Sequence, residues 1–566
     1  MDVSENLLTE LMIILQRHNT PTDMKHIASL IALSLLLGFP AEAKSPVGHI
    51  STDGIVAHTD QGSIAGYRDA KDIYTYKGVP YAGAKRFQAP VAALPWKEIR
   101  SCRNYGPTAP QDARQGWNND AIAFAFNWDD GFTGEDCLRL NIWTKAASND
   151  GKKRPVMVWL HGGGYSAGSG QELPGYDGAN LALKGDVVVV TLNHRLNVLG
   201  FLDLSDFGEK YACSANAGML DIVAALQWVK NNIAEFGGDP SNVTIFGQSG
   251  GGGKVSTLLA MPSAKGLFHK AIVQSGSAGR TITSDISRRI GRAVVDELGL
   301  GGNIAAIDTV PYPQLLAAAN KAVAKVRAQV EAEGGAEGAF IFGWAPSVDG
   351  NVLPAQPFDG NAPEISRDIP MIIGTTKCEF SPTTYVPMLR NADMATARSF
   401  VERIYGDKTD EFISEYAKAY PDYQPKDLID FDTRFRPGAV EQGDIKSAQG
   451  GAPVYMYMFA WESPVMEGML RSTHCMEIPF VFNNADVHAS MTGGGDDAMK
   501  LADRVSDAWI AFARTGNPNV PSLPRWPAYD KKGGATMIFD NDCKISHNHD
   551  RALLKLIEKM AGRRSF

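Results

Sequence analysis

Val243-Thr244-Ile245-Phe246-Gly247-Gln248-Ser249-Gly250-Gly251 reads as a β-branched run that breaks into a glycine-flanked serine, with a helical pattern following. The spacing is G-x-S-x-G. A serine on so sharp a strand-to-helix turn takes a strained backbone conformation and exposes its Oγ, and glycines two residues to either side let strand and helix approach closely. The bare pattern is common by chance, and a plain glycine-rich loop is the alternative. The strand before it and the helix after it make Ser249 a candidate nucleophile.

Working outward, the same punctuation recurs. Val156 to Leu160 runs into His161-Gly162-Gly163-Gly164-Tyr165, and Val187 to Val190 is all valine. Ala271-Ile272-Val273 ends at Gln274-Ser275-Gly276, and Pro370 to Ile373 ends at Gly374. Nearly continuous apolar runs predict strands covered on both faces, as in a parallel sheet. Met219 to Ile233 carries Ile222, Ala225, Leu226 and Val229 at helical spacing, and Asp239-Pro240 supplies a turn. Strand, turn and helix in alternation predict an α/β fold with a large, mostly parallel central sheet flanked by helices. The stretches 280–340 and 390–450 read as helical and predict a subdomain over the sheet's carboxyl edge. No repeat of 20–50 residues appears.

The His161 loop has its own chemistry. Attack of a serine on an ester carbonyl makes an oxyanion that needs preorganised donors. Consecutive glycines let N–H groups point inward without side chains in the way. Gly163 and Gly164 supply two such donors and Gly250, at the start of the helix, a third.

Composition narrows the function classes. The chain has 566 residues, 44% hydrophobic and 21% charged, which excludes a mainly disordered chain or a polytopic membrane protein. With 55 Lys+Arg against 63 Asp+Glu the net charge is -8, and no long basic run offers a nucleic-acid footprint. Six scattered cysteines are too few for a disulfide scaffold. No HExxH, Walker loop or dinucleotide fingerprint in context calls for a metal or organic cofactor.

Ile27 to Phe39 is an apolar stretch of about 13 residues, short for a bilayer span. Lys25 precedes it and Pro40-Ala41-Glu42-Ala43 follows, which are the parts of a secretory signal with cleavage after Ala43. Asp2, Glu5 and Glu10 do not suit a signal's start, so 1–23 reads as a non-native or disordered leader, Met24 as the natural start and 24–43 as the signal. The remaining 44–566 reads as a single domain of a periplasmic or secreted protein.

The chain resembles the type-B carboxylesterases, the α/β-hydrolase family that includes cholinesterases and bacterial para-nitrobenzyl esterases. The resemblance runs over nearly the whole mature chain. It rests on Lys77-Gly78-Val79-Pro80-Tyr81-Ala82, Arg86-Phe87, Glu135-Asp136-Cys137-Leu138-Arg139-Leu140-Asn141-Ile142-Trp143, Asn193-His194-Arg195-Leu196, Gly200-Phe201-Leu202 and Asn231 to Pro240, beside the two glycine motifs. It implies an α/β-hydrolase fold with helical insertions over the active site. It also implies a serine hydrolase that cleaves small-molecule carboxylic esters without a cofactor, as monomer or homodimer, with no stable membrane insertion.

Within that resemblance, His474 in Ser472-Thr473-His474-Cys475-Met476-Glu477-Ile478-Pro479-Phe480 matches the base, with His488 as rival. Glu379, after Gly374-Thr375-Thr376-Lys377-Cys378, matches the orienting acid, with Asp349 as rival. Serine, acid and histidine then come in the chain order of this fold. Gln248 stands where the family has Glu, weakening any preference for cationic alcohols; Gly250 replaces the usual Ala, which predicts slightly more room. Cys378 and Phe380 flank Glu379 in place of Asp and Gly, and Cys475 follows His474 in place of Gly. Tyr165, Gln248 and Phe380 are candidates for the pocket wall, with core or loop packing as the alternative. The resemblance implies two buried ion pairs, Arg86 with Glu135 and Arg195 with Asp221. It also implies a disulfide from Cys137 to an upstream cysteine. Ala109 occupies that cysteine's place, and Cys102 is the partner that remains, in a connectivity the sequence does not set.

The three-glycine loop is associated in this superfamily with esters of bulky and tertiary alcohols. A lipase acting on longer-chain glycerides is the alternative enzyme. A silent adhesion relative, which loses the nucleophile or base, is disfavoured because Ser249, Glu379 and His474 are all present.

Overall fold

The computed structural model describes residues 49–112, 120–129, 131–333 and 343–561. The leader, the signal segment and its cleavage point after Ala43 lie outside them. Eleven strands form the central sheet. In chain order they are β1 (Tyr67–Arg68), β2 (Tyr74–Pro80), β3 (Arg139–Thr144), β4 (Arg154–Leu160), β5 (Val188–Leu192), β6 (Gly238–Gln248), β7 (Lys270–Gln274), β8 (Met371–Thr376), β9 (Val454–Phe459), β10 (Ala535–Phe539) and β11 (Lys544–His547).

The spatial order is β11-β10-β9-β8-β7-β6-β4-β5-β3-β2-β1. From β5 across to β10 all neighbours run parallel. Antiparallel pairs close both edges. The apolar runs of the sequence are these parallel strands, and every residue of β4 is buried. Alternate residues serve two cores. Val156, Val158 and Leu160 of β4 belong to one hydrophobic cluster, Met157 and Trp159 to the other. A strand packed on both faces has no reason to alternate apolar with polar.

Chain order and spatial order diverge beside β4. The chain passes from β4 to β5 on one side, then crosses back to lay β6 on the other. Such a switch point leaves a crevice at the strands' carboxyl ends. Leu160 pairs with Gly247 there, so the loop after β4 and the turn after β6 meet.

Helix α1 (Ala217–Asn232) matches the helical spacing read between β5 and β6, and α2 (Gly250–Leu258) starts directly after Ser249. The Ala-rich stretch forms α3 (Ser284–Glu297) and α4 (Tyr312–Ala332). The later stretch forms α5 (Met394–Tyr405), α6 (Thr409–Ala419), α7 (Pro425–Ile429) and α8 (Arg436–Ala448). Among the described residues no helix is long and apolar enough to cross a membrane.

Two expectations need correction. Cys102 and Cys137 are both free thiols. The Cys102 carbonyl accepts from Lys77 N, whereas Leu138, next to Cys137, accepts from Tyr81 N. The two cysteines thus lie beside different points of the chain, one within β2 and one just past its end. The second correction concerns the ion pairs. Arg195 and Asp221 are buried, joined by Nε–Oδ2 at 2.8 Å and Nη2–Oδ1 at 2.6 Å. Arg86 and Glu135 also meet twice, at 2.7 and 2.5 Å, but the Glu135 side chain is 45% exposed. Water screens that pair.

The two pairs therefore differ in stability. Asp221→Ala strands a desolvated guanidinium and lowers the unfolding free energy by about 3–5 kcal/mol. Glu135→Ala costs about 1 kcal/mol or less. Denaturant midpoints of the two variants check this, and equal losses contradict it.

Candidate active site

Ser249 has φ 57° and ψ −125°, outside the ordinary regions for an L-residue. Such strain costs on the order of 1–3 kcal/mol and persists only where the surroundings impose it. Here Ser249 N donates to the Gln274 carbonyl at 2.8 Å, and Gly253 N donates to the Ser249 carbonyl at 3.0 Å. The adjoining glycines are sterically required: a Cβ on Gly276 would lie 2.2 Å from the Ser249 carbonyl oxygen, and one on Gly251 1.9 Å from that of Leu160.

Gly250 corrects the sequence reading. A Cβ there would lie 2.1 Å from the Gly164 carbonyl oxygen. The missing methyl group opens no room for substrate, because the backbone of the glycine loop fills the space. Gly163 and Gly164 take φ +82° and +64° and are solvent-exposed. Among the described residues, the N–H groups of Gly163, Gly164 and Gly250 donate to no protein acceptor. Three unused donors thus border the serine turn.

The acid and the base are brought together. Glu379, after β8, and His474, on the loop after β9, are both buried. Nδ1 of His474 lies 2.5 Å from Glu379 Oε2, and the His474 N–H donates to the Glu379 carbonyl at 2.7 Å. The other carboxylate oxygen accepts from Ser275 Oγ at 2.6 Å and Thr376 N at 2.9 Å. Nδ1 is thereby the proton-bearing nitrogen, and Nε2 keeps its lone pair. Burial pushes the Glu379 carboxyl up to about 7, opposed by its Ser275 and Thr376 donors. Burial also pushes the His474 imidazole down to about 4, opposed by the nearby Glu477 and Asp432 carboxylates. A neutral ring is the form that accepts a proton.

The rivals are bound elsewhere. His488 Nε2 contacts the carbonyls of Ala125 and Phe126 at 3.1 and 3.0 Å. Asp349 organises a turn, accepting from Asn351 N, Leu353 N and Asn216 Nδ2. Ser249 Oγ itself is not hydrogen-bonded to the imidazole. The group on the ring is its neighbour Gln248, whose Nε2 lies 3.2 Å from both ring nitrogens. An atom equidistant from both sits over the ring face, since an in-plane position would collide with Cε1. Gln248 Oε1 accepts from the Cys475 thiol at 3.1 Å. Two departures from the family pattern, Gln248 and Cys475, are thus in contact with each other.

Phe380 packs on the imidazole with ring centroids 4.5 Å apart, and Phe435 stacks on it at 5.0 Å. Asp432 fixes Phe435 by accepting from the backbone N–H groups of Arg434, Phe435 and Arg436. Tyr165 packs edge-on against Phe201, centroids 5.3 Å apart, beneath the glycine loop. Ser275, Phe435 and Asp432 escaped the sequence reading. Ser275 had one visible signal, its place at the end of an apolar run. A surface cleft of about 700 Å³ that includes Lys77, Tyr105 and Trp128 contains none of these site residues.

A parallel sheet with a strained serine turn at its switch point, and an acid–histidine pair on later strand ends, defines an α/β-hydrolase. The model of the carboxylesterase family matches residues 53–555, and the chain belongs to that family. It is similar to the para-nitrobenzyl esterase of Bacillus subtilis (strain 168), 36% identical over 504 residues that span 87% of this chain and 96% of the relative. It is also similar to the phenmedipham hydrolase of Pseudarthrobacter oxydans, 33% identical across 86% of this chain and 95% of that one. A solved esterase from anaerobic Clostridium hathewayi, described as hydrolysing aliphatic aromatic polyesters, superposes with a TM-score of 0.80. It is 38% identical, covering 90% of this chain and 99% of its own. The protein is a type-B carboxylesterase, a hydrolase of carboxylic esters.

The Gln248 contact generates a prediction. A carboxylate over the ring face stabilises the imidazolium, whereas the amide does not. Gln248→Glu therefore raises the pH at which His474 takes up its proton. The His474 titration followed by NMR moves to higher pH, and an unmoved titration contradicts the placement.

Proposed function

We propose that Ser249, His474 and Glu379 form the catalytic triad of this esterase and act through an acyl-enzyme. The short, buried Glu379–His474 contact carries the reading, with Gln248 holding the ring one residue from Ser249. Rotation of the serine side chain toward Nε2 completes the set; such bonds often tighten only with substrate bound. Nε2 takes the Ser249 proton as Oγ attacks the ester carbonyl. Glu379 fixes the tautomer and stabilises the imidazolium. The N–H groups of Gly163, Gly164 and Gly250 receive the oxyanion. The imidazolium then protonates the leaving alcohol, and water releases the acid by the same route.

The aromatic rings of Phe380 and Phe435 beside His474 favour esters with an aromatic or bulky portion. The open three-glycine loop extends this to tertiary alcohols. The names of similar proteins, para-nitrobenzyl esterase and an esterase acting on aliphatic aromatic polyesters, point the same way. For location, the composition of Met24 to Ala43 supports export to the periplasm or beyond.

Ser249→Ala lowers kcat for para-nitrophenyl acetate by about 10⁴-fold or more. The wild type also turns over tert-butyl acetate. Retained activity in Ser249→Ala overturns the triad, and absence of tert-butyl acetate turnover overturns the tertiary-alcohol reading alone. A para-nitrophenyl chain-length series separates esterase from lipase behaviour. The exported protein begins at Lys44 on N-terminal sequencing; a start at Met1 or Met24 contradicts processing.

A further inference from the structure

Lys254 lies on α2, five residues after Ser249, and is fully buried. Its Nζ donates to the carbonyl of His161 at 2.9 Å. That carbonyl opens the Gly162-Gly163-Gly164 loop. The next carbonyl, of Gly162, lies 2.9 Å from His161 Nδ1. It belongs to the same peptide unit as the Gly163 N–H. The ring of Tyr165, at the other end of the loop, has its centroid 5.8 Å from Nζ.

Other charged and titratable groups face this ammonium from the elements around it. Glu172 attracts it. Burial, with the charges of Lys254 and Arg195 adding to it, holds the His194 ring neutral, and that ring stacks on His161 with centroids 5.0 Å apart. Among the described residues no carboxylate lies within ion-pair distance of Nζ. A buried cation with one hydrogen bond is costly. A methionine of similar length would fill the same space without that cost. Glu172 attracts Lys254 without pairing with it, and the reaction would create a further negative charge beside the same loop.

We propose that Lys254 is a positioning residue for ester hydrolysis: it anchors the first carbonyl of the glycine loop, and its charge stabilises the oxyanion formed there. This rests on the triad and oxyanion reading above. Burial pushes the Lys254 ammonium down to about 7, with Glu172 opposing. The charge is present below that value and lost above it. An oxyanion nearby favours the protonated form, so its formation draws a proton from solvent.

A trifluoromethyl ketone tests this, because Ser249 adds to it and leaves a stable oxyanion. Addition moves the serine proton to His474, and the new imidazolium draws a proton off Glu379, so near pH 7 the triad itself releases part of a proton. Calorimetry near pH 7, in buffers of differing ionisation enthalpy, gives the net uptake of the wild type and of Lys254→Met, and the wild type takes up part of a proton more per chain. Equal values overturn the proposal. Lys254→Met also lowers kcat on para-nitrophenyl acetate by about tenfold, with little change in KM. Lys254→Gln keeps a donor for the His161 carbonyl but lacks the charge. Its inhibition constant exceeds that of the wild type most at pH 6, and the ratio shrinks above pH 8. A ratio independent of pH reduces Lys254 to a packing role. If Ser249→Ala remains active, the triad reading fails; if it is inactive while wild type and Lys254→Met take up equal amounts, only the Lys254 inference fails.

Discussion

The pairing of Leu160 with Gly247 is the constraint from which the site follows. Parallel strands meeting in that register deliver two loops to one point. One loop is rich in exposed N–H groups, and the other carries a strained serine. Backbone then packs on backbone, and at Gly250 and Gly251 even a methyl group is too large. The glycines do not confer looseness here. They permit contact close enough for a helix start and a glycine loop to border the same small volume.

Burial does the remaining electrostatic work. The Glu379–His474 pair lies out of water, with the carboxylate held by Ser275 and Thr376. Desolvation keeps the imidazole neutral, and the carboxylate keeps its tautomer fixed. Around it stand groups that carry charge or polarity without joining the pair: Glu477, Asp432 and Gln248. Each interacts through low-dielectric space, so a one-atom change at Gln248 reaches the ring directly. Arg195 and Asp221 show the same physics used for the fold alone.

What the sequence revealed depended on range. The strand–turn–helix around Ser249 and the glycines after Leu160 are local signals, since glycine and apolar runs constrain their own backbone. Family resemblance was needed for Glu379 and His474, because nothing within ten residues of either distinguishes a buried pair from loop residues. The Gln248–Cys475 contact joins positions 227 residues apart, and each residue looked like an isolated departure. Exposure was equally hidden: the Arg86 and Arg195 pairs look alike as motifs, yet only one is dry. Strand β9, Val-Tyr-Met-Tyr-Met-Phe, is as fully buried as β4, but it runs into Ala460-Trp461-Glu462 with no glycine to mark its end.

The most direct measurement is covalent labelling of the native chain with a fluorophosphonate, followed by peptide mass analysis. The structure predicts one phosphonyl group per chain, on the peptide containing Ser249, with the rate of labelling cut by about 10³-fold or more in His474→Ala. Labelling on another residue, or at an unchanged rate without His474, contradicts the account.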